Sequence, residues 1–234
     1  MFPLGVLKKQ KPAPDPNLSL LLMHFEGANG STTFTDSSPV PYAIINTDSQ
    51  ISSFTLKSGF GSSGFFNNSG GSPYRQIETA NVAPDLRNTD FTIECFIHPT
   101  ALNFTLCEIF GTQRGNGDLC YACYINTSTN ELTTSVFGTE ISHQTTISLN
   151  TTHHIALVRR NNNFIIYLNG VAGNVSPSIS QSIINNYNPT TPLRIGVARG
   201  GSASFFTGYI DEFRIRKEAV YTGNFTPPTT PFSY

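Results

Sequence analysis

Apolar and polar positions alternate through Gly208-Tyr209-Ile210-Asp211-Glu212-Phe213-Arg214-Ile215, the period of a half-buried β-strand. Strict alternation turns Tyr209, Asp211, Phe213 and Ile215 to one face and Ile210, Glu212, Arg214 and Arg216 to the other. Asp211 and Glu212 are therefore expected to point apart. Similar strand signals recur over 18–25, 91–98, 119–125, 132–137, 154–160, 164–169, 193–197 and 206–215. Turn-forming clusters at 58–64, 67–73, 111–118 and 200–204 punctuate them. No long helical period competes, and helical turns are expected only near Pro84 to Asn88 and Lys217 to Val220. The pattern predicts an all-β protein, an antiparallel β-sandwich or jelly roll.

The most explicit local signal is a hairpin. Ile155 to Arg160 and Phe164 to Leu168 are apolar runs joined by Asn161-Asn162-Asn163, and asparagine tolerates the positive φ that a three-residue loop needs. Asn169-Gly170 supplies a second, two-residue turn into Val171, so three strands should form a meander.

A chain of 234 residues with 18 Phe and 9 Tyr has enough apolar bulk for one large β domain. Residues 1–17 stand apart, because Pro3, Pro12, Pro14 and Pro16 favour an extended, polyproline-like backbone. The expected organisation is an extended N-terminal arm over 1–17 that docks on a neighbour, followed by one domain over 18–234. Charged residues make up only 12%, about half of the ~25% common in soluble domains. Ser, Thr, Asn and Gly carry the surface polarity instead. A net charge of −1, with Lys8, Lys9 and Lys11 the only basic block, argues against nucleic-acid binding. Charges that arrive within the first nine residues break up the apolar core of a secretory signal. The apolar run at 18–25 is interrupted by Ser19 and His24 and falls far short of the ~20 residues of a membrane span, so no membrane insertion is expected.

Several segments in this order resemble the LamG-like jelly roll of the concanavalin A-like lectin and glucanase superfamily. They are 20–27 followed by Phe34-Thr35-Asp36-Ser37-Ser38, Phe91-Thr92-Ile93-Glu94 ending at Pro99, His153-His154-Ile155-Ala156-Leu157 with Tyr167-Leu168-Asn169-Gly170, and 208–215. The resemblance spans nearly all of 18–232. The tail Ala219-Val220-Tyr221-Thr222-Gly223-Asn224-Phe225-Thr226-Pro227-Pro228 is similar to the form of this domain found in tailed-bacteriophage virion proteins. The resemblance implies two curved sheets packed face to face, with loops and a concave surface free for contacts. It also implies a structural or adhesion protein on the surface of a phage particle, made in the host cytoplasm. Its partners would be other virion proteins reached through the arm, further copies of itself, and a host-surface glycan. The glycan reading places contacts on loops 58–73, 111–118 and 196–204. The family often carries Trp where this chain has Thr152 and Phe96, and the chain has no Trp.

Candidate chemistry is sparse. A glycosidase needs two carboxyl groups across the scissile bond, whereas Asp211 and Glu212 are adjacent and Glu94 has no acid at 92 or 96. No catalytic residue is assigned and a non-enzymatic role is expected. His153 and His154, as strand neighbours, should point apart, with one ring buried on a hydrogen bond and the other near a loop. Cys120 and Cys123 have zinc-like spacing, but in a strand their thiols would leave opposite faces, so Cys95, Cys107, Cys120 and Cys123 are expected as buried free thiols. The resemblance leaves a structural calcium open, with Asp36, Asp118 and Asp211 as oxygen donors. Arg159, Arg160, Glu212 and Arg214 are expected at solvated sheet edges or in cross-strand pairs. Acceptor triplets for glycosylation begin at Asn29, Asn67, Asn103, Asn126, Asn150 and Asn224, as chance produces in so Asn-, Ser- and Thr-rich a chain.

Overall fold

The computed structural model describes residues 18–68, 74–113, 119–197 and 204–234, so the expected arm lies outside the described residues. Among the described residues fifteen strands run in order: β1 Ser19–Met23, β2 Ile44–Thr47, β3 Gln50–Ser52, β4 Ser63–Phe66, β5 Gln76–Val82, β6 Phe91–Ala101, β7 Leu106–Gln113, β8 Leu119–Asn126, β9 Glu131–Val136, β10 Thr139–Thr146, β11 His153–Arg160, β12 Asn163–Leu168, β13 Val171–Val175, β14 Pro192–Ile195 and β15 Thr207–Arg216. Among the described residues one short helix, α1 Gln181–Asn185, interrupts them. The named strands pair antiparallel in two sheets. The first is ordered β13-β12-β11-β6-β15-β4-β3 with β1 added alongside β15, and the second β10-β9-β8-β7-β14-β5-β2.

The expected all-β sandwich is the observed fold. A single large apolar cluster lies between the sheets, drawing Leu21, Met23, Ile93, Ile97, Phe110, Ile125, Leu157, Ile166 and Phe213 from both. Phe110 and Phe213 meet edge-to-face across it at 5.4 Å between ring centres. All four cysteines are buried in this cluster and none forms a disulfide, including Cys120 and Cys123, which do not part to opposite faces as alternation suggested. Burial holds the Cys95 and Cys123 thiols well above their usual range, so they behave as small apolar groups.

The meander forms as β11, β12 and β13. Its first turn is two residues, not three: Arg160 pairs with Asn163, and Asn161 and Asn162 have φ of 49° and 63°. Two successive positive φ values give the turn whose twist matches the flanking strands. The expected helical turns at 84–88 and 217–220 are not helical. Arg159 explains the first, since its buried guanidinium holds the Leu86 carbonyl at 3.0 Å and the Arg87 carbonyl at 2.5 Å, fixing that segment as a loop.

Strand β15 departs from its sequence pattern at the centre. Asp211 pairs with Phe96 and Arg214 with Glu94, so β15 advances three residues while β6 advances two. The extra residue is Glu212, at φ 53°. Beyond this bulge the faces exchange: Ile210, Phe213 and Ile215 enter the core together, while Tyr209, Asp211 and Arg214 sit on the outer side of the first sheet.

Candidate functional site

The outer face of the first sheet carries an aromatic file at one end. Phe65 of β4 pairs with Tyr209 of β15, which pairs with His98 of β6, so three side chains form a cross-strand row. Phe54 joins them from the loop before β4. Tyr209 stacks on Phe65 at 4.9 Å and on Phe54 at 4.4 Å, and Phe54 meets His98 edge-to-face at 4.8 Å. The Arg75 guanidinium lies 5.9 Å from the Phe65 ring centre, and its buried Nη1 has no hydrogen-bond partner. Phe54 is 38% exposed, and Phe65, Tyr209 and His98 are half-buried. Burial and nearby His153 lower the pKa of His98, so the ring is neutral at pH 7 and can donate and accept. This file offers apolar ring surface beside three polar handles, the chemistry that holds sugar rings. Alternation along β15 contained the signal at Tyr209, but only the tertiary fold brings in Phe54.

Of the three loops expected to contact glycan, 58–73 contributes Phe65 itself to the file. Tyr74 stacks on Phe205 at 4.3 Å, and Asn68 donates to the Phe206 carbonyl at 2.9 Å. Gln113 is tied to Thr191, and Gly196 to Ile109. The three segments 69–73, 114–118 and 198–203 themselves lie outside the described residues.

At the middle of the same face lies a buried polar network under a strap formed by 217–234. Glu94 receives Arg214 Nη2 at 2.6 Å, the Tyr221 hydroxyl at 2.7 Å and His154 Nε2 at 3.1 Å. Burial alone would raise the Glu94 pKa, but the His154 hydrogen bond and the Arg214 charge outweigh it and hold the carboxyl down at about 2. Arg214, Glu94, Glu212 and Arg159 are thus buried rather than solvated, and only Arg160 remains exposed. Both histidines are buried, contrary to the expectation of one buried ring, although His153 does bond to loop residues. His153 binds the Ser148 carbonyl at 3.0 Å and Asn169 at 3.1 Å, so the two do not converge on one ion.

Of the calcium candidates, Asp36 does not fit: its two oxygens already accept from Leu22 N, Ser38 N, Ser38 Oγ and Tyr42 N at 2.8–2.9 Å. It braces a turn. Asp118 lies outside the described residues. Asp211 does fit. Its Oδ1 accepts from Glu212 N at 2.8 Å, while its Oδ2 is buried with no partner. Burial, with the Glu212 and Glu26 charges, pushes its pKa up to about 9. Asp211 and Glu212 therefore interact closely, contrary to the expectation that they point apart, because the bulge puts both on the outer side. A cation there would replace the proton, with carbonyls and water filling its shell, since among the described residues no three His, Cys, Asp or Glu side chains group around one point.

On the second sheet, Glu108 is opposite Tyr124, whose hydroxyl donates to Glu140 at 2.6 Å. Sequence spacing held no hint of this grouping. Glu140 is engaged by the Tyr124 hydroxyl, and Glu108 is fully buried.

Two antiparallel sheets sharing one apolar core form a jelly-roll β-sandwich. The chain belongs to the Laminin_G_3 family of the concanavalin A-like lectin/glucanase superfamily, whose model matches residues 69–221. No curated protein matches it. Among solved structures it is similar to the binding domain of botulinum neurotoxin serotype C1, at 13% identity and TM-score 0.64, over 88% of this chain and 50% of that one. It therefore spans about half the length of that domain. Domain 4 of AbnA, an extracellular arabinanase from Geobacillus stearothermophilus, solved with arabinotriose, matches at 15% identity and TM-score 0.59 over 87% and 94% of the two chains. A heptameric SAP-like pentraxin from Limulus polyphemus matches at 17% and 0.52, over 67% and 76%. At these identities the likeness is one of fold.

Proposed function

We propose that this chain is a non-catalytic glycan-binding module that serves in adhesion. The observation that carries the reading is the half-exposed file of Phe65, Tyr209 and Phe54, flanked by Arg75 and His98. Support also comes from two proteins of the same fold: the arabinanase domain holds arabinotriose, and cell entry of botulinum neurotoxin type C depends on interaction with two ganglioside molecules. In its finer form the module is a virion component of a tailed phage, made in the host cytoplasm. It would be anchored to other virion proteins through residues 1–17 and assembled as a homo-oligomer. That form rests on the resemblance of residues 219–228 and on the low charge. A structural calcium at Asp211 belongs to the same reading.

An array of bacterial surface glycans tests it. The full chain should bind at least one glycan above background, and Tyr209→Ala and Phe54→Ala should each weaken that binding about 5- to 100-fold, the loss of ~1–3 kcal/mol of ring stacking. Absence of any ligand, with and without calcium, refutes the glycan reading. Mass spectrometry of purified particles checks the virion assignment.

A further inference from the structure

The second sheet buries its outer face as well as its inner one. Pairing across β14, β7, β8 and β9 sets Arg194, Gly111, Ala122 and Ser135 in one row, and pairing across β7, β8 and β9 sets Glu108, Tyr124 and Thr133 in the next. The neighbouring Phe110, Cys123 and Ile125 enter the core, so both rows face away from it. Such a face of an antiparallel sheet is ordinarily solvated. Here Ala122 and Glu108 are 0% exposed, Tyr124 1%, Thr133 3% and Ser135 6%. The strap is not the cover, because it lies on the first sheet. Among the described residues the side-chain hydrogen bonds of this face run within it, from Tyr124 to Glu140, from Arg194 to Glu78 and between Thr133 and Ser142.

We propose that residues 8–17 of the same chain dock across this face. Gly111, Ala122 and Ser135 floor a furrow that crosses the strands with Tyr124 along one side. An aromatic-walled furrow suits polyproline backbone, and Pro12-Ala13-Pro14-Asp15-Pro16 supplies it. The segment also starts in the right place, since Ser19 and Leu20 share a cleft with Asn81 of β5, next to β14. From β5 to β10 is about five strand spacings, ~24 Å, which polyproline backbone covers in about eight residues. Counted back from Leu18, that length reaches Gln10, so Lys8, Lys9 and Lys11 fall near β10. Charge matches there. Glu140 stands exposed on β10, and Glu108 is a buried carboxylate, a group retained only in the company of cations or donors. The burial belongs to a single chain, which makes the occupant its own segment and not a second copy's. The other segments outside the described residues, 69–73, 114–118 and 198–203, are five or six residues long and held at both ends. Residues 1–7 are left beyond β10 for the neighbour that anchoring requires.

Carbodiimide coupling of the full chain, read by peptide mass spectrometry, should join Lys8, Lys9 or Lys11 to Glu140 within the monomer. Links found only in a dimer band give the face to a second copy and overturn the proposal, as does the absence of any such link. A Ser135→Cys variant reads the cover itself, because the four native thiols are buried and maleimide then reports on position 135. Labelling should be slow in that variant and at least ~10-fold faster once Lys8→Glu, Lys9→Glu and Lys11→Glu are added, with circular dichroism unchanged. Fast labelling with the lysines intact shows an open face, and equally slow labelling without them leaves the cover to another segment such as 114–118. Either result overturns the proposal.

Discussion

Asp211 and Glu94 lie on adjacent strands of one face, yet their environments push their protons in opposite directions. Glu94 has three donors, so it stays ionised down to about pH 2. Its folded pKa is depressed, and its contribution to stability is full above the unfolded value of about 4.5 and lost as pH falls toward 2. Glu94→Gln should cost about 3–5 kcal/mol at pH 7, because Arg214 is left with an uncompensated charge. Urea unfolding at pH 7 and pH 3 should show that difference shrinking in acid. Asp211 shows the reverse sign. With its folded pKa raised to about 9, its stabilising protonation is complete below pH 4 and lost as pH rises toward 9. Asp211→Asn should therefore raise Tm at pH 8 in EDTA and change little at pH 4. Calcium should raise the Tm of the parent chain and not of the variant, and equal calcium responses would remove Asp211 from the ion site.

At the scale of elements, the strap 217–234 is what converts an ordinary outer face into a second buried layer. Tyr221 and Phe225 stack at 3.5 Å over Tyr167, Ala156 and Val158, while Phe232 fills a cluster with Leu22, Phe60 and Phe96. Backbone ties hold it at intervals, from Val220 N to Thr92 Oγ1 at 2.9 Å to Phe232 N on Glu212 at 2.5 Å. Gly170 is a point of close approach between strap and meander. Its φ is 79°, and a Cβ there would stand 1.9 Å from the Phe225 carbonyl oxygen. Gly170→Ala should destabilise by roughly 1–3 kcal/mol and raise amide exchange specifically over 221–232. Uniform exchange across the domain would show that the strap has no separate opening. Elements that sequence reading missed have several causes: β10 is an edge strand, β2, β3 and β4 are only four, three and four residues long, and α1 has a single buried residue, Ile184. In β5 and β7 the polar residues Gln76, Glu78, Glu108, Thr112 and Gln113 break up the apolar run that period analysis detects.

For the whole molecule, the two faces of the first sheet do different work. One packs the core; the other is covered by the strap at its middle and bears the aromatic file at one end. Local pattern was enough for the all-β class, the meander with its positive-φ asparagine turns and the burial of the thiols. These depend on period and on residues whose conformational preferences are strong wherever they occur. Long-range packing was needed to make Glu212 a bulge and to bring Phe54, Phe65 and Tyr209 into one stack. It was needed again to gather Glu94, His154, Arg214 and Tyr221 into one hydrogen-bonded centre. Those contacts join residues tens to more than a hundred positions apart, and a single inserted residue in a strand reverses every face beyond it, so no short window of sequence could contain them.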